Sequence, residues 1–114
     1  MRKALLITAV VALLTAAVPA SASAAFGAIA INPKTGDVGL SINKPRKSVA
    51  KKRANKDCNG KCKIVVWVRN GCAAVVATDR KYIPGVGRTK KEALRHAHRR
   101  ADRPSKKVAW ICSG

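Results

Sequence analysis

The sequence predicts an α+β fold: one small disulfide-bonded domain of two pseudo-twofold strand-strand-helix-strand repeats that share a mostly antiparallel sheet. Residues 63–71, KIVVWVRNG, are echoed at an offset of 43 by residues 106–114, KKVAWICSG. Upstream of each copy, short apolar runs separated by turn-forming residues recur, as GAIAI at 27–31 and AAVVA at 73–77. Four cysteines lie among these blocks. The repeat thus predicts the architecture, and the cysteines indicate that disulfide bonds stabilise it.

The first 24 residues resemble a secretory signal peptide. They have a basic start, an apolar run and the small-residue end Ala22-Ser23-Ala24. The apolar run from Leu5 to Val18 is 14 residues long, short of the roughly 20 that a membrane-spanning helix needs. We therefore expect cleavage after Ala24, no transmembrane segment in the mature chain, and a single secreted, extracellular domain over residues 25–114.

The first repeat covers about residues 26–70. Alternating apolar residues and the turn NPKTGD predict two strands before a helix, and the apolar run IVVWV predicts a third strand after it. The helix has Pro45 near its start and only Val49, Ala50 and Ala54 for a core face. The expected strands are 26–31, 38–42 and 63–69, and the expected helix is 46–57.

The second repeat covers about residues 71–114. Its helix is better marked, because Thr89 followed by Glu92 fits a capping box and small apolar residues from Ala93 to Ala101 recur on one face. Those small residues favour close packing on a sheet. The expected strands are 72–78, 82–87 and 107–112, and the expected helix is 89–102.

The junction of the repeats predicts how they combine. Asn70-Gly71 is a strong hairpin-turn signal, since both residues tolerate positive φ, and it would join the repeats strand to strand. IVVWV is apolar on both alternating faces, as expected of a central strand buried on both sides. Both repeats would then share one sheet, with Trp67 and Trp110 at equivalent buried positions.

The cysteines of an exported chain meet an oxidising environment, so Cys58, Cys62, Cys72 and Cys112 are expected to form two disulfides. Four cysteines allow three pairings, and the sequence leaves all three open. Cys58–Cys62 with Cys72–Cys112 is preferred, because the other pairings cross the central strand. CNGKC lacks the two-residue spacing of redox motifs.

We expect neither a metal nor another cofactor. A zinc site at CNGKC would need two further ligands. His96 and His98, two residues apart on a helix, point to different faces.

The chain is strongly basic. Without Arg2 and Lys3 it has 22 basic and five acidic residues, a net charge of +17, and such a surface attracts polyanions. Most of this charge lies in residues 44–56 and 88–107, on or beside the two helices, which side by side would present one basic plate. The expected polyanion-binding residues are Lys47, Lys51, Lys52, Arg53, Lys91, Arg95, Arg99, Arg100 and Arg103.

The blocks FGAIA, CNGKCKIVVWVRNGCAAVV and VAWICS resemble the small secreted bacterial proteins, common in actinobacteria, of the domain of unknown function family DUF4189. The resemblance covers essentially the whole mature chain. It implies export and a shared fold, and it brings no catalytic residues to transfer. This chain departs from the milder family pattern in its very basic helices.

The leading functional hypothesis is a secreted, non-enzymatic module that docks on an anionic polymer or surface: cell-wall polymer, membrane or extracellular nucleic acid. Nucleic-acid binding would not be sequence-specific, because nothing in the sequence is suited to reading base edges. The tryptophans lie in apolar strands, so stacking platforms for single strands are not expected. The alternative is an exported effector or inhibitor that recognises a protein. A hydrolase is third: His96 and His98 with Glu92 or Asp79 suggest a nuclease, but their spacing separates the rings and no catalytic residue is assigned.

Overall fold

The structure, a computed structural model, describes residues 24–114. The expected signal peptide lies outside the described residues except for Ala24, and its removal stays a prediction. The described part repeats one order of elements, two strands, a helix and a strand, so the α+β class and the duplication are confirmed. The first set is β1 (Phe26–Ile31), β2 (Val38–Lys44), α1 (Lys47–Asp57) and β3 (Lys63–Arg69); the second is β4 (Gly71–Ala77), β5 (Tyr82–Gly87), α2 (Lys90–Arg100) and β6 (Lys106–Ser113).

The strands form two three-stranded antiparallel sheets, so the prediction of one shared sheet is wrong. β1 lies between β2 and β3 in the first sheet, and β4 lies between β5 and β6 in the second. Asn70 has the expected left-handed conformation, with φ 50°, but Gly71 does not, and the hairpin predicted at Asn70-Gly71 does not form because β3 and β4 do not pair. As the single residue between β3 and β4, it turns the chain from one sheet to the other, because β3 pairs with β1 and β4 pairs with β6. β3, predicted to be central, is therefore an edge strand.

The two sheets stack face to face, and each carries one helix on its outer face. Side chains alternate along β1, so Ile29 joins the core between the sheets whereas Ala28 packs against α1. β4 follows the same rule: Val75 joins the core between the sheets, and Ala74 packs against α2. The layer order is α1, first sheet, second sheet, α2.

The halves meet in a way that matches a pseudo-twofold relation. β2 lies beside β6 at one seam between the sheets, and β3 lies beside β5 at the other. Exchanging the two halves turns each seam into the other. Equivalent residues therefore occupy equivalent places on opposite sides of the molecule.

Small residues at matched positions let each helix lie close to its sheet. A Cβ on Gly39 of β2 would lie 2.6 Å from the backbone nitrogen of Cys58, and one on Gly85 of β5 would lie 2.8 Å from the Cα of Ala97. The strand below each helix therefore has no room for a larger side chain. The helical alanines that face the sheets have no exposed surface: Ala50, Ala54, Ala93 and Ala97.

The two disulfides have the preferred pairing. Cys58–Cys62 closes the loop between α1 and β3. Cys72–Cys112 joins residues directly opposite each other on β4 and β6. The first bond is local to one helix end, and the second ties the last strand to the middle of its sheet.

Two candidate polyanion-binding faces

The outer side of α1 carries a group of basic side chains. Ala50 and Ala54 hold the inner side against the sheet. Lys52 and Lys56 are both exposed and lie four residues apart, so they are neighbours on the outward side. Two further basic residues flank this pair, one exposed and one partly buried. The first basic face is Lys51, Lys52, Arg53 and Lys56.

The outer side of α2 carries a matching group. Lys91, Arg95 and Arg99 are exposed and succeed one another at four-residue intervals, so they form a line along the outward side of the helix. Arg95 and Arg99 stand 43 positions after Lys52 and Lys56, the offset of the repeat. These three residues are the second basic face.

The two faces lie on opposite sides of the molecule, so the expectation of one continuous basic plate is wrong. The plate required both helices to lie on the same side of a shared sheet. Each helix instead covers the outer face of its own sheet, and the two sheets stand between them. The prediction that the charge lies on the helices is correct, and the prediction that the two helices lie side by side is wrong.

Two predicted residues contribute less to the faces than expected. Arg103 follows the end of α2 and is the only basic residue of the part described, 24–114, with salt bridges: its Nη1 lies 3.2 Å from Asp79 Oδ1 and its Nε lies 3.4 Å from Asp102 Oδ1. Arg100 turns back toward the sheet, and its Nη1 donates to the Pro84 carbonyl at 2.8 Å. The charge of Arg103 is thus partly neutralised at the edge of the molecule.

The acidic groups on the helices bond to the backbone rather than to the basic faces. The Asp57 carboxylate accepts from the Leu40 backbone N–H at 3.0 Å. The Glu92 carboxylate accepts from the Arg88 backbone N–H at 3.0 Å. Within residues 24–114 neither basic face therefore includes a salt bridge.

A lysine–tryptophan pair accompanies each helix. The Lys47 Nζ lies 4.5 Å from the centre of the Trp67 ring, and the Lys90 Nζ lies 4.4 Å from that of Trp110, which are favourable cation–π contacts. Each tryptophan is 40% exposed. The expected equivalence of the indoles is confirmed, and their expected burial is wrong. Each indole projects from an edge strand on the helix side, where a lysine covers it instead of the core.

Sequence reasoning missed two of the basic residues at the helices. Lys56 belongs to the first face, and Lys90 covers Trp110. The repeat contained the signal for both, because the offset of 43 relates Lys56 to Arg99 and Lys47 to Lys90. Applying the offset to the charged residues, as it was applied to the apolar ones, would have found them.

The two histidines have separate hydrogen-bond partners. The Nδ1 atom of His96 accepts from the backbone N–H of Val86 on the edge strand β5, at 3.0 Å. His98 Nδ1 lies 2.7 Å from Ser105 Oγ. Among residues 24–114, no group of three or more His, Cys, Asp or Glu side chains is placed to hold a metal ion. His96 satisfies an edge-strand donor, as Asp57 does for Leu40 on β2.

A cleft of about 600 Å³ opens between the sheets near the turn at residues 78–81. Its carboxylate, from Asp79, is paired with Arg103. The Thr78 hydroxyl oxygen accepts from the backbone N–H groups of Arg80 and Lys81. Asp79 and Thr78 therefore have partners at or beside the turn, and basic side chains from Lys63, Arg80 and Lys81 also line the cleft.

Neither helix of the described part is long and apolar enough to cross a membrane.

Comparison with known proteins relates the chain to a family and to a solved structure. The family model described as domain of unknown function (DUF4189) matches residues 26–112. The fold is similar to the NMR structure of Rv1813c from Mycobacterium tuberculosis, with 25% sequence identity and a TM-score of 0.62, over 93% of this chain and 99% of that chain. A search of curated proteins gave no match. These similarities describe the fold and assign no activity.

Proposed function

The chain belongs to the DUF4189 family, and we propose that this member is a secreted, non-enzymatic protein that docks on anionic polymers through its two basic faces. One observation carries the proposal: Lys52 and Lys56 on α1 are matched by Arg95 and Arg99 on α2, all on the outward sides of their helices. Repeating the fold has thus also repeated an exposed basic surface.

The charge exceeds what solubility requires. A small domain stays soluble with a net charge of about 2–8, whereas residues 25–114 have 22 basic and five acidic residues. Like charges four residues apart on a helix destabilise it by roughly 0.2–0.5 kcal/mol per pair. The faces therefore cost the free protein stability, and an anionic polymer would relieve that repulsion.

The expected mode of binding is electrostatic and independent of sequence. Lysine and arginine side chains on the faces would contact phosphate or carboxylate groups and release the counterions of the polymer. Trp67 and Trp110 each have a lysine over the ring, so neither indole presents an open platform for stacking bases.

Duplex DNA of random sequence is a convenient probe of this proposal. The logarithm of the association constant, measured by fluorescence anisotropy, should fall linearly with the logarithm of the salt concentration, by about 0.9 for each phosphate neutralised. Replacing three basic residues of each face with glutamate should remove most of that slope. The face variant changes Lys51, Lys52, Lys56, Lys91, Arg95 and Arg99 to Glu.

A charge-matched control separates a located surface from overall charge. It changes six exposed basic residues of turns and strand ends to Glu, and it has the same net charge as the face variant. The control should keep most of the affinity and of the slope. Equal losses in both variants would overturn the proposal, and so would a wild-type protein that fails to bind at moderate salt. The control residues are Lys34, Lys61, Lys63, Arg69, Arg80 and Lys81.

A second candidate function is recognition of a protein partner. Leu40, Ile42 and Trp110 are 39%, 43% and 40% exposed, and they line a groove of about 370 Å³ at the seam of β2 and β6. Exposed apolar patches are typical of docking sites. If the face variant loses no affinity for anionic polymers, this groove becomes the leading site.

A further inference from the structure

We propose that the protein bridges two anionic polymer strands, one held on each basic face. This inference rests on the proposed function, since it requires that the faces bind such polymers. It goes further because the faces point in opposite directions: α1 and α2 lie on the outer sides of two stacked sheets. A protein with a single binding surface would bind along one polymer strand, whereas a protein with two opposed surfaces can link one strand to another.

The separation of the faces makes them independent sites. Stacked sheets lie about 10 Å apart and each helix adds a further layer, so the helix axes are roughly 30 Å apart. This distance exceeds the Debye length of about 8–10 Å at physiological ionic strength. A polymer on the first face therefore barely alters the potential at the second.

One stiff polymer cannot occupy both faces of one molecule. Duplex DNA has a persistence length of about 150 base pairs, so it would have to bend sharply around the edge of the sandwich to pass from one helix to the other. With one duplex bound on α1, the face on α2 stays open to a second.

The two faces also share a matched pair of residues. Each contains two exposed basic residues one helical turn apart, related by the repeat: Lys52 with Arg95 and Lys56 with Arg99. The acidic residues of the helices, Asp57 and Glu92, accept from backbone N–H groups and form no salt bridge with either face within residues 24–114. A bridge needs both ends to bind under the same conditions, and this matching provides that.

Bridging can be measured as energy transfer between two sets of short duplexes, one labelled with a donor and the other with an acceptor. The disulfide-bonded protein should raise transfer while duplex is in excess. Transfer should fall again when protein is in large excess, because each duplex then saturates with its own protein molecules. Anisotropy on a single labelled duplex, run in parallel, reports binding alone.

Single-face variants provide the decisive comparison. Changing Lys51, Lys52 and Lys56 to Glu, or Lys91, Arg95 and Arg99 to Glu, should leave binding by anisotropy and reduce energy transfer to the level without protein. Mixing the two variants should not restore transfer, since each has one face.

A charge-matched control, with Lys34, Arg69 and Lys81 changed to Glu, should bridge like the wild type. Energy transfer from either single-face variant at the level of this control would overturn the bridging inference while leaving polymer binding intact. Loss of anisotropy binding in the wild type would instead overturn the proposed function and the inference with it.

Discussion

The two halves share one layout and secure their helices differently. α2 is capped by Thr89, whose hydroxyl accepts from the Glu92 backbone N–H at 3.1 Å, and its last turn is basic, which suits the helix dipole. The equivalent residue before α1 is Arg46, which makes no side-chain cap, and no acidic residue lies in the first turn. The end of α1 is instead stapled by Cys58–Cys62. The second half has no disulfide at its helix end.

The difference separates what the fold requires from what a particular half uses to stabilise it. Both halves keep a glycine below the helix, Gly39 or Gly85, because the helix backbone is too close for a larger side chain. Stabilising contacts vary between the halves: the Ser41 hydroxyl donates to the Ala50 carbonyl at 2.6 Å in the first, and glycine stands at the matching position of the second. Shape is conserved between the copies, and each copy has its own local supports.

Removing the disulfides should have the largest effect on the free energy of unfolding, and the size of the effect should differ between the halves. Cys72–Cys112 closes a segment with a sequence separation of 40, and Cys58–Cys62 one with a separation of 4. The loop-closure entropy lost in the unfolded chain predicts a cost of about 4 kcal/mol for removing the first and about 2 kcal/mol for the second. Paired Cys→Ser variants, compared by urea unfolding, give both numbers.

Amide hydrogen exchange shows which part of the molecule loses protection when each disulfide is removed. Without Cys58–Cys62, protection should decrease mainly in α1, because that helix has no N-terminal side-chain cap. Without Cys72–Cys112, protection should decrease throughout the second sheet. The contrast between the halves would be contradicted if removing either disulfide lowered the free energy of unfolding equally. It would also be contradicted if removing Cys58–Cys62 decreased protection in α1 no more than in α2.

A smaller effect is expected at the helix starts. Thr89→Ala removes the cap of α2 and should lower the free energy of unfolding by about 1 kcal/mol. Arg46→Ala, at the matched position before α1, should change it little, because the Arg46 side chain caps nothing. Thermal or urea unfolding of both variants tests the difference. A cost at Arg46 as large as that at Thr89 would show that α1 has an N-terminal support absent from the hydrogen bonds described above.

The sequence predicted the elements well because independent signals agreed. The repeat, the alternation along strands and the spacing of alanines each located the same segments, and β3 begins and ends where expected, at Lys63 and Arg69. The preferred disulfide pairing is confirmed, although the strand taken as central in preferring it is an edge strand. Compatible signals at different levels make such a prediction reliable.

The division of the six strands into two sheets and the exposure of the tryptophans could not be predicted from the sequence. A strand apolar on both faces is typical of the centre of a sheet, but β3 has this pattern at an edge, because the second sheet covers one of its faces and α1 packs on the other. Trp67 adds apolar character on the helix side of β3. Its ring centre lies 6.3 Å from that of Phe26, and Lys47 lies over the ring. The placement of the basic faces depends on that partition, so their residues were largely predictable and their opposition was not.

The number of duplexes bound to one protein molecule shows whether the molecule has two equivalent and separate basic faces. Sedimentation velocity of the disulfide-bonded protein with an excess of a duplex of about 12 base pairs, roughly 40 Å long, gives this number at low salt. We expect two duplexes for the wild type and one for each single-face variant. A wild-type protein that binds one duplex however large the excess would show that the molecule does not have two such faces.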